Sequence, residues 1–484
     1  MKELLRPFAI VLAVPLLVTA LGMLGRSDWE SRWNASVAAQ MARQGLRPDQ
    51  RFLAQYSLAN VCADRRIGPR FVPCRTYNLF SAVISASALV GGVGLGLLGA
   101  FVLVGRACRE RRWLERLFGP SLVFVAGGTA ALGAAHGLLA IAAVVVGAID
   151  LSGESVEQVS GSLVVVAAAA FVGWAIAMGA VAFDMVRRPK ISVVGARLDP
   201  AGQPRLADVV GEVAASVGAS APSNLVACLV PWLFVTEMDV SCLDGRLRGR
   251  TLCLSLPLCR ILSVGEFKAL LAHELAHFAP AEEAFSARVL PAVAGVSRGM
   301  HDLAARSRGV RAAVFAPPLA LMGVFMEAVG PGAIPGDERE RLADQAAAAS
   351  AGTGALAAAL VKLAAFAPAW HAVAVMMQHA VGARTQFVNA GALFQEIASA
   401  NAGRDRLDGA EALAQGHPTD RLPALAARLA AIHASVGEVA SAALTVLPAM
   451  PASMLIEDGE ATERRLTTAE HYLLVETGGE FRSA

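Results

Sequence analysis

The sequence predicts a mainly α-helical membrane protein, with about four transmembrane helices followed by an α+β soluble half holding a small β-sheet and many helices. Three observations carry this. Charged residues make up only 17% of the 484 positions and hydrophobic residues 55%, against roughly 25% charged in ordinary soluble domains. Four long runs with almost no formal charge stand before residue 188. From about Pro189 the runs shorten, and strand-like and helix-like periodicities replace them. The mean hydropathy of +0.52 excludes disorder for most of the chain.

The charge balance, 42 Lys+Arg against 40 Asp+Glu, asks for no nucleic acid. No basic stretch is interleaved with aromatics, as a base-stacking surface requires. Seven cysteines without a C-x-x-C pair give neither a disulfide scaffold nor a thiolate zinc site.

A bilayer crossing takes about 20 apolar residues, and the four spans are placed at about 7–25, 79–105, 120–149 and 160–186. The first has Lys2, Arg6 and Arg26 at its flanks and resembles a signal peptide ending in Val18-Thr19-Ala20. Its apolar part is long for that role, which favours an uncleaved anchor. The loop from Arg106 to Arg116 holds five arginines, and Arg187, Arg188 and Lys190 follow the fourth span. Positive charge gathers on the cytoplasmic side, so the soluble half is expected there and the loop 26–75 outside. That loop carries Cys62 and Cys74, whose spacing is compatible with a disulfide or with two thiols. His136 stands alone in the third span and is explained by a bond to a neighbouring helix.

In the soluble half, Leu206 to Val217 has helical periodicity. Leu225 to Val230, Leu233 to Val240 and Thr251 to Leu256 read as strands, with Asp244-Gly245 as a hairpin turn. Ser263 with Glu266 three residues later is a capping box, opening an apolar helix that runs through Phe278 to Pro280. Beyond it the chain is Ala-rich and helical to about Ala442. Ala312 to Met326, with Pro317-Pro318 inside, fits either a core helix or a membrane-dipping hairpin.

The capped helix contains His273-Glu274-Leu275-Ala276-His277. Histidines at i and i+4 share a helix face, so both imidazoles reach one metal ion. Glu274 between them is placed to take a proton from water without ligating. A catalytic zinc needs a third protein ligand. Glu340 is the candidate, on a helix starting near Asp337, with Asp344 one turn on as hydrogen-bond acceptor for a ligating histidine. The competing reading of that segment is a solvated charged turn, since Asp337, Glu338, Arg339 and Arg341 crowd it.

H-E-L-A-H followed by E-R-L-A-D resembles the gluzincin peptidases of the HtpX heat-shock protease and type I CAAX prenyl protease group. The likeness extends upstream through Phe234-Val235-Thr236-Glu237, Gly249-Arg250-Thr251-Leu252 and Ser255-Leu256-Pro257-Leu258, and downstream to His417-Pro418-Thr419-Asp420-Arg421. It covers roughly Ala207 to Leu429. The resemblance implies a zincin-type metalloprotease domain over 189–442, followed by a tail at 443–484. It implies one Zn2+ per chain held by His273, His277 and Glu340, with Glu274 catalytic. It also implies a membrane endopeptidase of the bacterial inner membrane acting in membrane-protein quality control, on unfolded or membrane polypeptides; the four preceding spans depart from the seven of the CAAX enzymes, which argues against prenylated substrates. Thr251 to Leu256 is expected as the edge strand receiving substrate. His417 is read either as an oxyanion donor or as a surface residue, and Arg421 departs from the spacing of the family's late arginine. The rival function is a non-catalytic zinc-containing membrane scaffold or chaperone.

Overall fold

The structure, a computed structural model of the chain, describes residues 2–45, 49–64, 66, 68–152, 161–187, 189–309, 312–330, 336–407 and 423–476. Six helices come first: α1 (Lys2–Arg43), α2 (Gln50–Gln55), α3 (Leu58–Ala63), α4 (Val72–Ala107), α5 (Arg111–Ser152) and α6 (Gly161–Asp184). Then come β1 (Lys190–Ser192), β2 (Gly195–Leu198), α7 (Pro204–Ser216), β3 (Asn224–Cys228), β4 (Phe234–Thr236), β5 (Asp239–Cys242), β6 (Gly245–Leu247) and β7 (Thr251–Ser255). Helices α8 (Leu256–Ile261), α9 (Val264–Ala276), α10 (Leu290–Arg306), α11 (Ala312–Val329), α12 (Asp337–Ala351), α13 (Thr353–Phe366) and α14 (Ala369–Gly382) follow. The last four are α15 (Ala390–Ala400), α16 (Leu425–Ala431), α17 (Val436–Ala443) and α18 (Gly459–Glu476). The chain divides into two compact units, Met1–Arg187 with Val296–Ala333, and Arg188–Gly295 with Ile334–Ala484.

In the first unit, α1, α4, α5 and α6 each contain a stretch long and apolar enough to cross a membrane. Their outer faces leave large apolar side chains exposed, Leu17 at 61%, Leu89 at 68% and Val165 at 67% among them. Contiguous apolar surface of this kind is costly in water and ordinary in lipid. At 42 residues, α1 is about 63 Å long at 1.5 Å per residue, roughly twice the ~30 Å hydrocarbon layer. Its second half carries Arg26, Asp28, Glu30, Arg32 and Arg43. Val18, Phe80, Leu139 and Val146 are buried where α1, α4 and α5 meet. His136 donates from Nε2 to the Val11 carbonyl at 3.2 Å, which satisfies it between α5 and α1. Cys62 and Cys74 form a disulfide joining α3 to α4. The segment from Ala312 is one helix, α11, with both prolines inside it and no hairpin turn. It meets α4 at Gly105, where a Cβ would come within 2.7 Å of Ala328 Cβ, so only glycine permits the approach.

The second unit is built on a four-stranded sheet of order β2-β3-β7-β4 and a three-stranded sheet β1-β5-β6. Strands β3 and β7 run parallel, while β2 and β4 pair antiparallel on either side. The Asp244-Gly245 turn joins β5 to β6, with Gly245 at φ +116°. Strand β7 is paired on both sides, with β3 and with β4, and this corrects the expectation that Thr251 to Leu256 forms the edge. The edge strand beside β7 is β4. Pairing partners outside the strand itself leave no local trace in its sequence, and β4, the edge, is as buried as β7.

Helix α9 opens with the capping box: Glu266 N–H donates to Ser263 Oγ at 3.3 Å, and Ser263 N–H to Glu266 Oε2 at 2.7 Å. The buried Lys362 of α13 donates to Glu266 Oε2 at 2.8 Å and to the carbonyls of Ile261 and Thr445. One α13 side chain therefore fixes the start of α9. A fifth apolar segment, Thr353–Gly382, is long enough to span a bilayer. It consists of α13 and α14, and Leu356, Leu360, Val361 and Phe366 on it are fully buried in the core of the second unit. The stretch 443–484, expected as a tail, holds α17's last residue and α18. Within its described part, α18 buries Leu466 and Leu474, and its Glu463 pairs with Arg260 of α8 at 2.5 Å. The charged residues of α18 obscure a buried face that recurs at helical spacing.

Candidate metal centre

Helix α9 carries His273 and Glu274 in its last turn and ends on His277 as C-cap. Helix α12 lies against it and presents Glu340 and Asp344 from its buried face. Both imidazoles meet the Glu340 carboxylate: His273 Nε2 lies 3.2 Å from Oε2, and His277 Nε2 lies 3.2 Å from Oε1. Among the described residues, these three form the one group of His, Cys, Asp and Glu side chains able to hold a metal. All three are buried, Glu340 to 1% exposure.

The donor set fits zinc. Two ligand atoms, each ~2.0–2.1 Å from a tetrahedral zinc, stand about 3.3 Å apart, close to both nitrogen–oxygen separations in this cluster. Glu340 Oε2 is buried without a hydrogen-bond partner despite its closeness to His273 Nε2. The ligand atoms of His273, His277 and Glu340 all lie within 4.8 Å of one another, close enough to share one ion.

Charge within the cluster agrees with this. Burial alone would raise the Glu340 carboxyl, but the His273 and His277 rings beside it hold it well below the ordinary range. Burial and the Arg428 guanidinium work against a charged His273, yet Asp344 and Glu340 outweigh them and carry it up to about 9. Burial, with Arg339 nearby, pushes His277 down. Without an ion, the two carboxylates draw a proton onto His273. A divalent cation satisfies the same demand, with both imidazoles neutral.

Around the ligands stand supporting groups. His273 Nδ1 is 2.8 Å from Asp344 Oδ1. Arg428 of α16 grips Asp344 with two bonds, Nη2 to Oδ1 at 2.7 Å and Nε to Oδ2 at 2.9 Å. The carboxylate of Glu274 accepts the Val235 N–H at 3.3 Å, which ties it to the edge strand β4. Val235 lies opposite Leu252 of β7, but its N–H points to Glu274 and so away from β7. Antiparallel strands alternate in this way, and the Val235 carbonyl therefore faces the same outer side. A cleft of about 30 Å³ opens beside it, lined by Val235, Glu237, His273, Glu274, Arg339 and Glu340 among others. At ~10–15 Å³ per enclosed water, it admits only a few water molecules.

The sequence-expected residues His273, Glu274, His277, Glu340 and Asp344 are thus brought together. His417 and Arg421 lie outside the described residues. Two residues of the site are not evident from sequence. Arg428 is the single charge in the apolar run Leu425–Ala431, and its isolation there is the available signal. Arg339 stands in what reads as a solvated charge run, yet it is buried beside Glu340. The signal lies in periodicity, since Arg339, Glu340, Ala343, Asp344 and Ala347 form one helical face.

Residues 200–429 match the sequence family described as Peptidase family M48. No curated protein and no solved structure matches the chain. The family match supports a metallopeptidase.

Proposed function

We propose that this chain is a membrane-anchored, zinc-dependent endopeptidase of the HtpX-like gluzincin kind, with its second unit in the cytoplasm. The observation that carries the reading is the convergence of His273, His277 and Glu340 beside a Glu274 held on an edge strand. Zinc, when bound by those three residues, lowers the pKa of a coordinated water toward neutrality and polarises the scissile carbonyl.

The chain's own groups do the rest. Glu274, 8% exposed and held by the Val235 N–H, takes a proton from the attacking water and passes it to the leaving amine. An extended substrate aligns along β4, where the outward Val235 carbonyl accepts one of its backbone N–H groups. Recognition through backbone suits unfolded or poorly assembled membrane polypeptides, and hence quality control. The four apolar helices support residence in a bilayer. The Cys62–Cys74 bond supports an oxidising compartment for the loop between α1 and α4. The arginines between α4 and α5 then mark the cytoplasmic side, and a bacterial inner membrane fits both. The test is cleavage of casein by the purified chain, with and without chelator, beside Glu274→Gln.

A further inference from the structure

The two histidines are held in different ways. His273 is oriented through its ring, by Asp344 on Nδ1. The Nδ1 of His277 is buried, and no described residue bonds it. What grips His277 is its backbone. The Ser286 hydroxyl donates to the His277 carbonyl, one of the last carbonyls of α9, which have no partner within the helix. The Ser286 oxygen in turn accepts Arg339 Nη2 at 2.8 Å. A hydroxyl has one proton, a carbonyl only accepts and a guanidinium only donates, so the direction of both bonds is fixed.

Local structure serves this brace. Phe285–Val289 is a π-helical turn, with Phe285, Ser286 and Val289 buried. Such turns are rare and recur at functional sites. This one aims Ser286 at the end of α9, while the Arg339 guanidinium lies 5.5 Å from the Phe285 ring centre and 3.5 Å from Glu282. Arg339 directly precedes Glu340, so the path Arg339–Ser286–His277 joins the two helices that bear the ligands. It closes the His277 side of the site, as Arg428–Asp344–His273 closes the other.

We infer that Ser286 and Arg339 are positioning residues for the metal centre, setting the place of His277 through its main chain. This rests on the reading of His273, His277 and Glu340 as zinc ligands. The full chain in detergent, loaded with zinc and titrated against a competing chelator, tests it. Ser286→Ala removes one oxygen and is expected to weaken zinc about 10-fold or more, as loss of outer hydrogen bonds to a ligand does. A serine serving the fold alone lowers the melting temperature of the chelated protein and leaves zinc affinity where it was, so affinity within about 2-fold of wild type overturns the inference. If Ser286→Ala does not fold, Arg339→Met is read against the same thresholds, with Arg339→Lys expected to recover part of the loss. His277→Ala separates the two levels. Wild type binding no zinc sinks the proposed function itself. Zinc bound by wild type, lost in His277→Ala and untouched in Ser286→Ala sinks only the positioning role of Ser286.

Discussion

His273 Nδ1 and Asp344 Oδ1 stand 2.8 Å apart, both fully enclosed, so one carboxylate sets the tautomer and the tilt of one ligating imidazole. Nε2 is thereby left for the metal. Asp344→Ala is expected to weaken zinc roughly 10–100-fold, and Glu340→Ala to lose it, both measured by metal content after dialysis. Emptying by Glu338→Ala with retention in Glu340→Ala would mean the ligand is misassigned; Glu338 is solvent-exposed on α12 and pairs with Arg341.

Asp344 depends in turn on Arg428. Removing one partner of a buried ion pair typically costs ~3–5 kcal/mol, because the remaining charge has lost its compensation. Arg428→Met is therefore expected to destabilise the second unit by about 3 kcal/mol, softened by the bond Asp344 keeps to His273. Denaturant unfolding of the purified protein measures it; a change within experimental scatter would leave Arg428 without this role.

Glu470 gives a pH dependence with a definite sign. Burial carries its carboxyl from an ordinary 4.5 up to about 7. Below 4.5 the folded and unfolded chains both hold the proton, and the group contributes nothing. Between 4.5 and 7 the unfolded chain releases it while the folded one does not, so stability falls as pH rises through that window. Glu470→Gln is expected to raise stability on the order of 3 kcal/mol at pH 8, with the gain vanishing toward pH 4.5. A gain that does not change with pH would rule this origin out.

Sidedness is checked with reporters placed after Gly45 and after Ala484. The first is expected outside and the second in the cytoplasm. Thiol reagents on intact cells should label Cys62 and Cys74 only after reduction. A C-terminus accessible from outside would reverse the topology.

Much of the site was legible because its chemistry is local. His273, Glu274 and His277 lie within one turn and a half of a helix, and Ser263 and Glu266 announce that helix with a reciprocal cap. Glu340 and Asp344 repeat the i, i+4 device. The four long apolar helices of the first unit were legible because runs of that length with so little charge stand out in the sequence. What stayed hidden depends on distant partners. That β4 and not β7 forms the edge follows from pairing between segments far apart in sequence. Arg428 and Arg339 are charges whose burial is eased by partners distant in sequence, Asp344 for the first and Ser286 with Glu282 for the second. Composition alone assigns such residues to solvent.

The assignment of Glu274 as base and not ligand is tested most directly by measuring zinc content and casein cleavage on the same preparation of Glu274→Gln. The glutamine keeps the shape and can still accept the Val235 N–H, but it cannot take a proton from water. The expected result is one zinc per chain, as in wild type, with hydrolysis lost. Hydrolysis at the wild-type rate, or an empty metal site in the variant, would contradict it.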